Sequence, residues 1–151
     1  MDPVEMLTAI EDIRTLKARY FRCVDTKAWR EFRTLFTDDA ILDFPENDFN
    51  ACPIDTFIGL AEEFLAGVCS IHHGHTPEIV IEDTTRARAI WPMDDSLYFP
   101  ADPPRSHNMA HVRGYGHYHE TYVRDDGVWR IRTLRLSRLR LERVLNPQAV
   151  A

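Results

Sequence analysis

The sequence lacks the features that mark membrane-bound and secreted proteins. No apolar stretch approaches the ~18 residues of a membrane span. Residues 1–5 are acidic and have neither the basic nor the apolar region of a signal peptide. Cysteine is scarce, and the three residues present show no CxxC spacing, which indicates reduced thiols rather than disulfides: Cys23, Cys52 and Cys69. We therefore expect a cytoplasmic protein with no membrane partner.

Basic charge is also in deficit. Asp and Glu number 24 against 18 Lys and Arg, which gives a net charge of −6 and a pI near 5.6. A nucleic-acid-binding domain needs a basic surface. The charge balance therefore argues against a nucleic-acid partner.

The residues that are present suffice for one globular domain. The chain has 151 residues, of which 44% are hydrophobic, including eight Phe, five Tyr and three Trp. This length and composition support a sizeable core, and no internal repeat is visible. We predict a single domain over residues 1–151 with a C-terminal tail at about 144–151.

The N-terminal part of the chain predicts three helices. Asp2-Pro3 is a favourable helix start, and apolar residues then recur at steps of three and four: Ile10, Ile13, Leu16, Tyr20 and Val24. A second helix is expected at about 27–36 and a third at 60–68. Between them we expect a strand at 40–44, a polar loop at 45–53 and a further strand at 54–58.

From Ser70 onward the pattern indicates β-structure. Strands are expected at 78–82, 85–91, 110–124 and 128–142, with Asp125-Asp126-Gly127 as a hairpin turn. The Pro-rich segment 92–108 is expected to be a lid or gate. In the last strand the apolar positions expected to face inward are odd-numbered at Trp129 and Ile131, even-numbered at Leu134 and Leu136, and odd-numbered again at Leu139 and Leu141. A β-bulge produces such a one-residue shift. The predicted fold class is α+β, with helices packed on a curved sheet.

A histidine cluster is the strongest chemical signal. His72, His73 and His75 lie within four positions, and imidazole is the side chain that exchanges protons near neutral pH. Along a strand, His72 faces one side and His73 and His75 the other. Asp25, just past the apolar stripe of the first helix, either caps the next helix or shares a cavity with Tyr20.

Two further patterns leave alternatives open. His73-x-His75 and His117-x-His119 are period-two pairs that together could hold a transition metal, although neither has a carboxylate at fitting spacing. Six arginines alternate with leucines over 130–143, which is typical of an exposed strand face. An inward arginine would need a carboxylate partner, for which Asp94 and Asp95 are the candidates.

Several stretches together resemble a known superfamily. They are residues 20–25 (YFRCVD), Trp29, Asp38-Asp39-Ala40, the histidine run and Asp126-Gly127-Val128-Trp129. They look like the SnoaL-like, NTF2-like superfamily, which includes scytalone dehydratase, polyketide cyclases, ketosteroid isomerase and hexachlorocyclohexane dehydrochlorinase. The resemblance covers about 10–142 and implies an NTF2-like α+β cone.

Residues 17–25, 74–79 and 91–99 are more closely similar to the bacterial bile-acid 7α-dehydratases. That resemblance implies catalytic roles for Tyr20, Asp25 and His72. It implies substrate-binding or supporting roles for the following residues: Phe44, Trp91, Asp95 and Arg138. Two positions depart from that family. Phe44 stands where the family has a Tyr, and the longer, Pro-rich 99–111 segment has no counterpart of another family Tyr. The resemblance therefore predicts the class of reaction better than it predicts the substrate.

The implied function is a cofactor-independent dehydratase, a carbon–oxygen lyase that needs no metal or organic cofactor. Its substrate would be a small hydrophobic molecule, a hydroxylated polycyclic ketone of steroid or bile-acid type. Alternatives are a polyketide cyclase, scytalone dehydratase or isomerase type of enzyme acting on a smaller substrate, a non-catalytic ligand-binding module and a metal enzyme. The resemblance also implies a homo-oligomer, namely a trimer.

Overall fold

Three helices precede most of a long, curved sheet in the computed structural model, which describes residues 1–47, 49–102 and 107–147. The helices are α1 (Pro3–Thr26), α2 (Trp29–Arg33) and α3 (Ile54–Phe64). The strands are β1 (Phe36–Phe44), β2 (Phe49–Pro53), β3 (Cys69–Gly74), β4 (Glu78–Ile81), β5 (Arg86–Tyr98), β6 (Met109–Asp125) and β7 (Val128–Leu145), and a short 3-10 turn covers Pro45–Asn47. Within the described ranges, no helix combines the length and apolar character needed to cross a bilayer.

The strands form one mixed sheet in the order β2-β1-β7-β6-β5-β3, with β4 also paired to β5. Only the β1–β7 pair is parallel among the described strands. The expected α+β architecture is confirmed. One core fills the space between α1 and the inward side of the sheet.

Helix α1 begins where the sequence predicts. Asp2 accepts a hydrogen bond from the Glu5 backbone N–H while the Glu5 carboxylate accepts one from Asp2 N–H, a reciprocal capping box. The helix ends at Thr26, and the capping residue Lys27 adopts a left-handed conformation with φ 59°. Asp25 therefore lies inside α1, and α2 has no side-chain cap, so the structure does not support the alternative in which Asp25 caps the second helix.

The segment between Pro45 and Val68 differs from the prediction. The expected loop at 45–53 contains the 3-10 turn and β2, the expected strand at 54–58 is the start of α3, and the expected helix at 60–68 ends at Phe64. Ile54, Phe57, Ile58 and Ala61 are spaced by three and four residues, which is a helical period. The short apolar run from Ile54 is therefore part of a helix rather than a strand. This helix places the ring of Phe57 on that of Phe44, with 5.0 Å between the ring centroids.

The expected lid at 92–108 is also wrong over its first part, because β5 runs through Pro92 to Tyr98. Pro92 is tolerated there because it lies at the gap between β4 and β3, where β5 changes its neighbour on that side. Its carbonyl accepts the His75 N–H at 2.8 Å. Residues 103–106 of the expected lid lie outside the described residues.

The β6–β7 hairpin matches the prediction. Asp126 and Gly127 both have positive φ, 48° and 77°, as a two-residue hairpin turn requires. Register breaks leave extra residues in β7 opposite the Thr121–Tyr122 and Tyr115–Gly116 steps, so the predicted bulging is confirmed. Leu139 is not inward, however: it is 76% exposed and is the extra residue at the second bulge.

Strand β7 also extends to Leu145, into the expected tail. The last residues of that tail, 148–151, lie outside the described residues.

Candidate active site

A cavity of about 610 Å³ lies between the helices and the inward face of the sheet. Five of the predicted site residues line it: Tyr20, Phe44, His72, Asp95 and Arg138. Most of the remaining wall is apolar and comes from α3, β5, β6 and β7, including Phe57, Phe64, Leu97, Val112, Leu136 and Leu141. Such a chamber suits an apolar ligand held by a few polar groups.

His72 and Asp25 form a hydrogen-bonded pair at this cavity. Nδ1 of His72 lies 2.7 Å from Oδ1 of Asp25, and the His72 backbone N–H donates to Oδ2 at 2.9 Å. A carboxylate only accepts, so Nδ1 carries the proton and Nε2 of the neutral ring keeps its lone pair. The ring is therefore held in the tautomer that a general base needs.

The alternation of β3 separates the three histidines. Ser70 and His72 face inward, while His73 and His75 lie on the outer side and contact Asp94 at 3.4 and 2.7 Å. Asp94 is thus paired outside the cavity and is not the partner of an inward arginine. Among the residues that the structure describes, no group of three or more His, Cys, Asp or Glu side chains is arranged to hold a metal.

Tyr20 supplies a buried hydroxyl to the same cavity. Burial and the negative charge of Glu120 raise the pKa of Tyr20 far above its usual value. Burial and Tyr20 likewise raise the pKa of Tyr118, whose ring packs edge-on against Tyr20 at 5.9 Å. Both hydroxyls therefore stay protonated and can act as hydrogen-bond donors.

Arg138 lies between two carboxylates at the polar end of the cavity. Its guanidinium donates to Asp95 at 3.0 and 2.7 Å and to Glu46 at 2.7 and 3.0 Å. Burial by itself lowers the pKa of Arg138, but hydrogen bonds to both carboxylates outweigh it and raise that pKa. Sequence reasoning selected Asp95 and Arg138 but missed Glu46, which no motif distinguishes from other surface acids.

Gly114 makes room for this ion pair. It is the cross-strand neighbour of Asp95, and a Cβ atom on Gly114 would overlap Arg138 Nη1 and Asp95 Oδ1. A side chain at this position would therefore displace the guanidinium or the carboxylate.

Trp91 does not line the cavity. Its indole N–H donates to the Tyr122 hydroxyl at 2.9 Å, and that hydroxyl donates to Glu120. Glu120 is paired in turn with Lys17, and both of these side chains are fully buried. Sequence reasoning missed this pair, although Lys17 interrupts the apolar side of α1 and Glu120 lies between two inward tyrosines.

The Lys17 ammonium also lies over the aromatic rings beside the site. It is 3.8 Å from the centroid of Tyr20 and 3.9 Å from that of Tyr118. These are cation–π distances. The Lys17 ammonium, held by Glu120, therefore packs against the rings of both tyrosines that line the cavity.

The helices, the curved mixed sheet and the cavity between them define the class of protein, an NTF2-like α+β cone. The chain belongs to the SnoaL-like domain family, whose family model matches residues 5–135. This confirms the superfamily resemblance seen in the sequence.

Solved structures share the fold at low sequence identity. A hexachlorocyclohexane dehydrochlorinase (LinA) of type 2 is 17% identical, with a TM-score of 0.80 over 96% of this chain and 95% of that one. A scytalone-dehydratase-like protein from Novosphingobium aromaticivorans is 20% identical, with a TM-score of 0.81 over 97% of both chains. A protein of unknown function from Mycobacterium tuberculosis is 22% identical, with a TM-score of 0.73 over 93% of this chain and 78% of that one.

Proposed function

We propose that the protein is a cofactor-independent dehydratase that removes water from a hydroxylated ketone. The observation that carries this proposal is the His72–Asp25 pair at a mostly apolar cavity that Tyr20 also lines. An elimination needs a base, a group that fixes the base and a donor for the developing oxyanion. His72 and Tyr20 line the cavity and Asp25 holds the His72 ring, so one residue is available for each role.

His72 is the base. Nε2 takes the proton from the carbon next to the leaving hydroxyl, and the electron pair of that C–H bond moves toward the conjugated carbonyl. The pair then returns to form the new C=C bond as the C–O bond breaks. The proton held by His72 passes to the departing hydroxide, so water leaves and the neutral imidazole is restored.

Asp25 and Tyr20 lower the barrier to these steps. The Asp25 carboxylate stabilises the imidazolium that forms in the first step. The raised pKa of Tyr20 keeps its hydroxyl protonated. That hydroxyl can therefore donate to the substrate oxygen on which negative charge develops. Arg138, held by Asp95 and Glu46, orders the polar end of the cavity.

The size and lining of the cavity support a polycyclic substrate. Ligand sites for drug-sized molecules span roughly 300–1,000 Å³, and this cavity of about 610 Å³ falls within that range. Together with the bile-acid 7α-dehydratase resemblance, this favours a 7-hydroxy-3-oxo-Δ4 steroid, whose conjugated ketone acidifies the proton at C6. Two structurally similar proteins carry the names dehydrochlorinase and scytalone dehydratase. Both names denote elimination reactions, which is consistent with the proposal.

A substrate panel tests the proposal. Purified protein is incubated with a 7-hydroxy-3-oxo-Δ4 steroid, with its 7-deoxy analogue as control, and with smaller hydroxylated aromatic ketones. We expect the hydroxy steroid alone to lose the mass of one water and to gain the longer-wavelength absorbance of an extended conjugated ketone. Conversion of only the smaller ketones would contradict the steroid substrate, and binding without conversion of any compound would favour a ligand-binding module.

The trimer implied by the resemblance stays a prediction. Sedimentation of the purified protein measures it directly.

A further inference from the structure

We propose that Lys27 and Ser70 extend the His72–Asp25 pair into a four-member hydrogen-bond chain and act as positioning residues that set how strongly His72 holds a proton. The catalytic consequence rests on the proposed function. The chain itself rests only on the contacts of these four side chains.

Ser70 is placed to contact Asp25 by the alternation of β3. It lies two residues before His72 on the same inward face and is buried. Its hydroxyl lies 3.1 Å from Oδ1 of Asp25, the oxygen that also accepts from His72 Nδ1. The Asp25 carboxylate therefore receives three hydrogen bonds, two of them on one oxygen.

Lys27 fixes the direction of the Ser70 hydroxyl. Nζ of Lys27 lies 2.5 Å from Ser70 Oγ, and an ammonium group only donates. Ser70 must therefore accept from Lys27, which leaves its single proton for Asp25. The order of donation is Lys27 to Ser70 to Asp25, with His72 donating to Asp25 from the other side.

The backbone at Lys27 is a second, independent observation. This residue caps the C-terminus of α1 in the left-handed region with φ 59°, a conformation that favours Gly or Asn and disfavours residues with larger side chains. A lysine is a poor choice for the turn alone. Its side chain is half-buried and reaches both Ser70 and the Asp25 carbonyl, the latter at 3.4 Å.

The chain opposes protonation of His72. The positive charge of Lys27 disfavours a second cation nearby, and the Ser70 hydrogen bond draws charge from the carboxylate that would stabilise the imidazolium. Without either residue, His72 would hold a proton more strongly and would be a base over a narrower pH range. The cavity that His72 lines carries these other ionisable groups: Tyr20, Glu46, Glu63, Asp95, His107, Tyr118, Arg138 and Arg143. Cys69, on the outer face of β3, is close enough to Lys27 to interact with it electrostatically.

The titration of His72 in the free protein tests the chain. Ring signals of nitrogen-labelled histidine are followed by NMR, and His72 is assigned by their loss in His72→Gln. We expect the midpoint of His72 protonation to move to higher pH by about half to one pH unit in Ser70→Ala and in Lys27→Met. Lys27→Arg, which keeps the charge, and Arg19→Met, which removes an exposed charge on the same helix, should titrate like the unmodified protein.

The outcomes separate this proposal from the proposed reaction, because the titration needs no substrate. Unchanged midpoints in both Ser70→Ala and Lys27→Met would overturn the chain even if dehydration is observed. Shifted midpoints would support it even if no substrate is dehydrated. Thermal unfolding checks that each variant folds. If Ser70→Ala does not fold, the titration of Lys27→Met alone decides the test, because Lys27 is only half-buried.

Discussion

Nδ1 of His72 lies 2.7 Å from Oδ1 of Asp25, although 47 positions separate the two residues. The same carboxylate accepts the backbone N–H of His72, so it holds both the ring and the strand that carries it. The last turn of α1 and the inward face of β3 therefore meet through the same contacts that orient the imidazole. The contacts that pack the helix on the sheet therefore also orient the His72 ring.

Asp25→Asn should abolish the base while leaving the fold intact. An asparagine can donate its amide N–H to Nδ1, which favours the tautomer with the proton on Nε2 and removes the lone pair from the cavity. We expect kcat to fall about 10²–10⁴-fold, as for other general bases and their orienting carboxylates. His72→Ala should lose at least as much, and steady-state kinetics with thermal unfolding measure both.

His73→Ala is the matched control for the dyad. His73 lies one residue away but on the outer side of the sheet, beside Asp94. Its removal should leave kcat within about twofold, since surface changes away from a site have small effects. Turnover close to that of the unmodified protein in Asp25→Asn or His72→Ala would refute the assignment of the base.

Tyr20→Phe should lower kcat more than it raises KM. The substitution keeps the ring beneath the Lys17 ammonium and removes only the hydroxyl, so the cavity keeps its shape. Loss of one oxyanion donor costs about 10²–10³-fold in kcat. Burial and Glu120 hold the pKa of Tyr20 far above its usual value. The unmodified protein should therefore show no alkaline loss of activity from this residue up to about pH 10, which a pH profile of kcat checks.

Long periodic elements were predictable from sequence because their own patterns specify them. The apolar stripe from Ile10 to Val24 has the helical period that specifies α1, and Asp125-Asp126-Gly127 has the turn residues that specify the β6–β7 hairpin. The start of α3 and the continuation of β5 through Pro92 were missed, because each depends on tertiary neighbours. Five residues from Ile54 are too few to distinguish the two periods, and Pro92 fits its strand only because β3 and β4 leave a gap beside it.

The site was predictable only in part for a similar reason. Alternation along β3 separates His72 from His73 and His75, but it says nothing of which residue on α1 meets His72. Tyr20 and Asp25 were predicted from a family resemblance of residues 17–25, not from their spacing. Glu46 and the Lys27–Ser70 contacts depend on where a loop and a helix end lie, and no spacing in the chain encodes that.

Gly114→Ala should weaken the polar end of the cavity. The new methyl group would overlap Arg138 and Asp95, and overpacking of this kind costs about 1–3 kcal/mol of unfolding free energy. We also expect a higher KM, because the displaced guanidinium lies on the cavity wall. Urea unfolding and steady-state kinetics measure the two effects.

Gly59→Ala is the matched control for that substitution. Gly59 lies inside α3, and a Cβ there meets nothing within 4 Å. Because alanine is the better helix former, unfolding free energy should rise by about 0.5–1 kcal/mol. An equal loss of stability in both glycine variants would show that the clash at Arg138 is not the cause.

Lys17→Met should destabilise the protein far more than a surface substitution. Both members of the Lys17–Glu120 pair are fully buried, and removal of one leaves the other charge without compensation, at a cost of about 3–5 kcal/mol. The double variant Lys17→Met/Glu120→Gln removes both charges while keeping an acceptor for the Tyr122 hydroxyl, so it should recover part of that loss. Urea unfolding of the single and double variants completes the cycle. If the double variant is as unstable as the sum of the two single variants, the charges of Lys17 and Glu120 are not coupled.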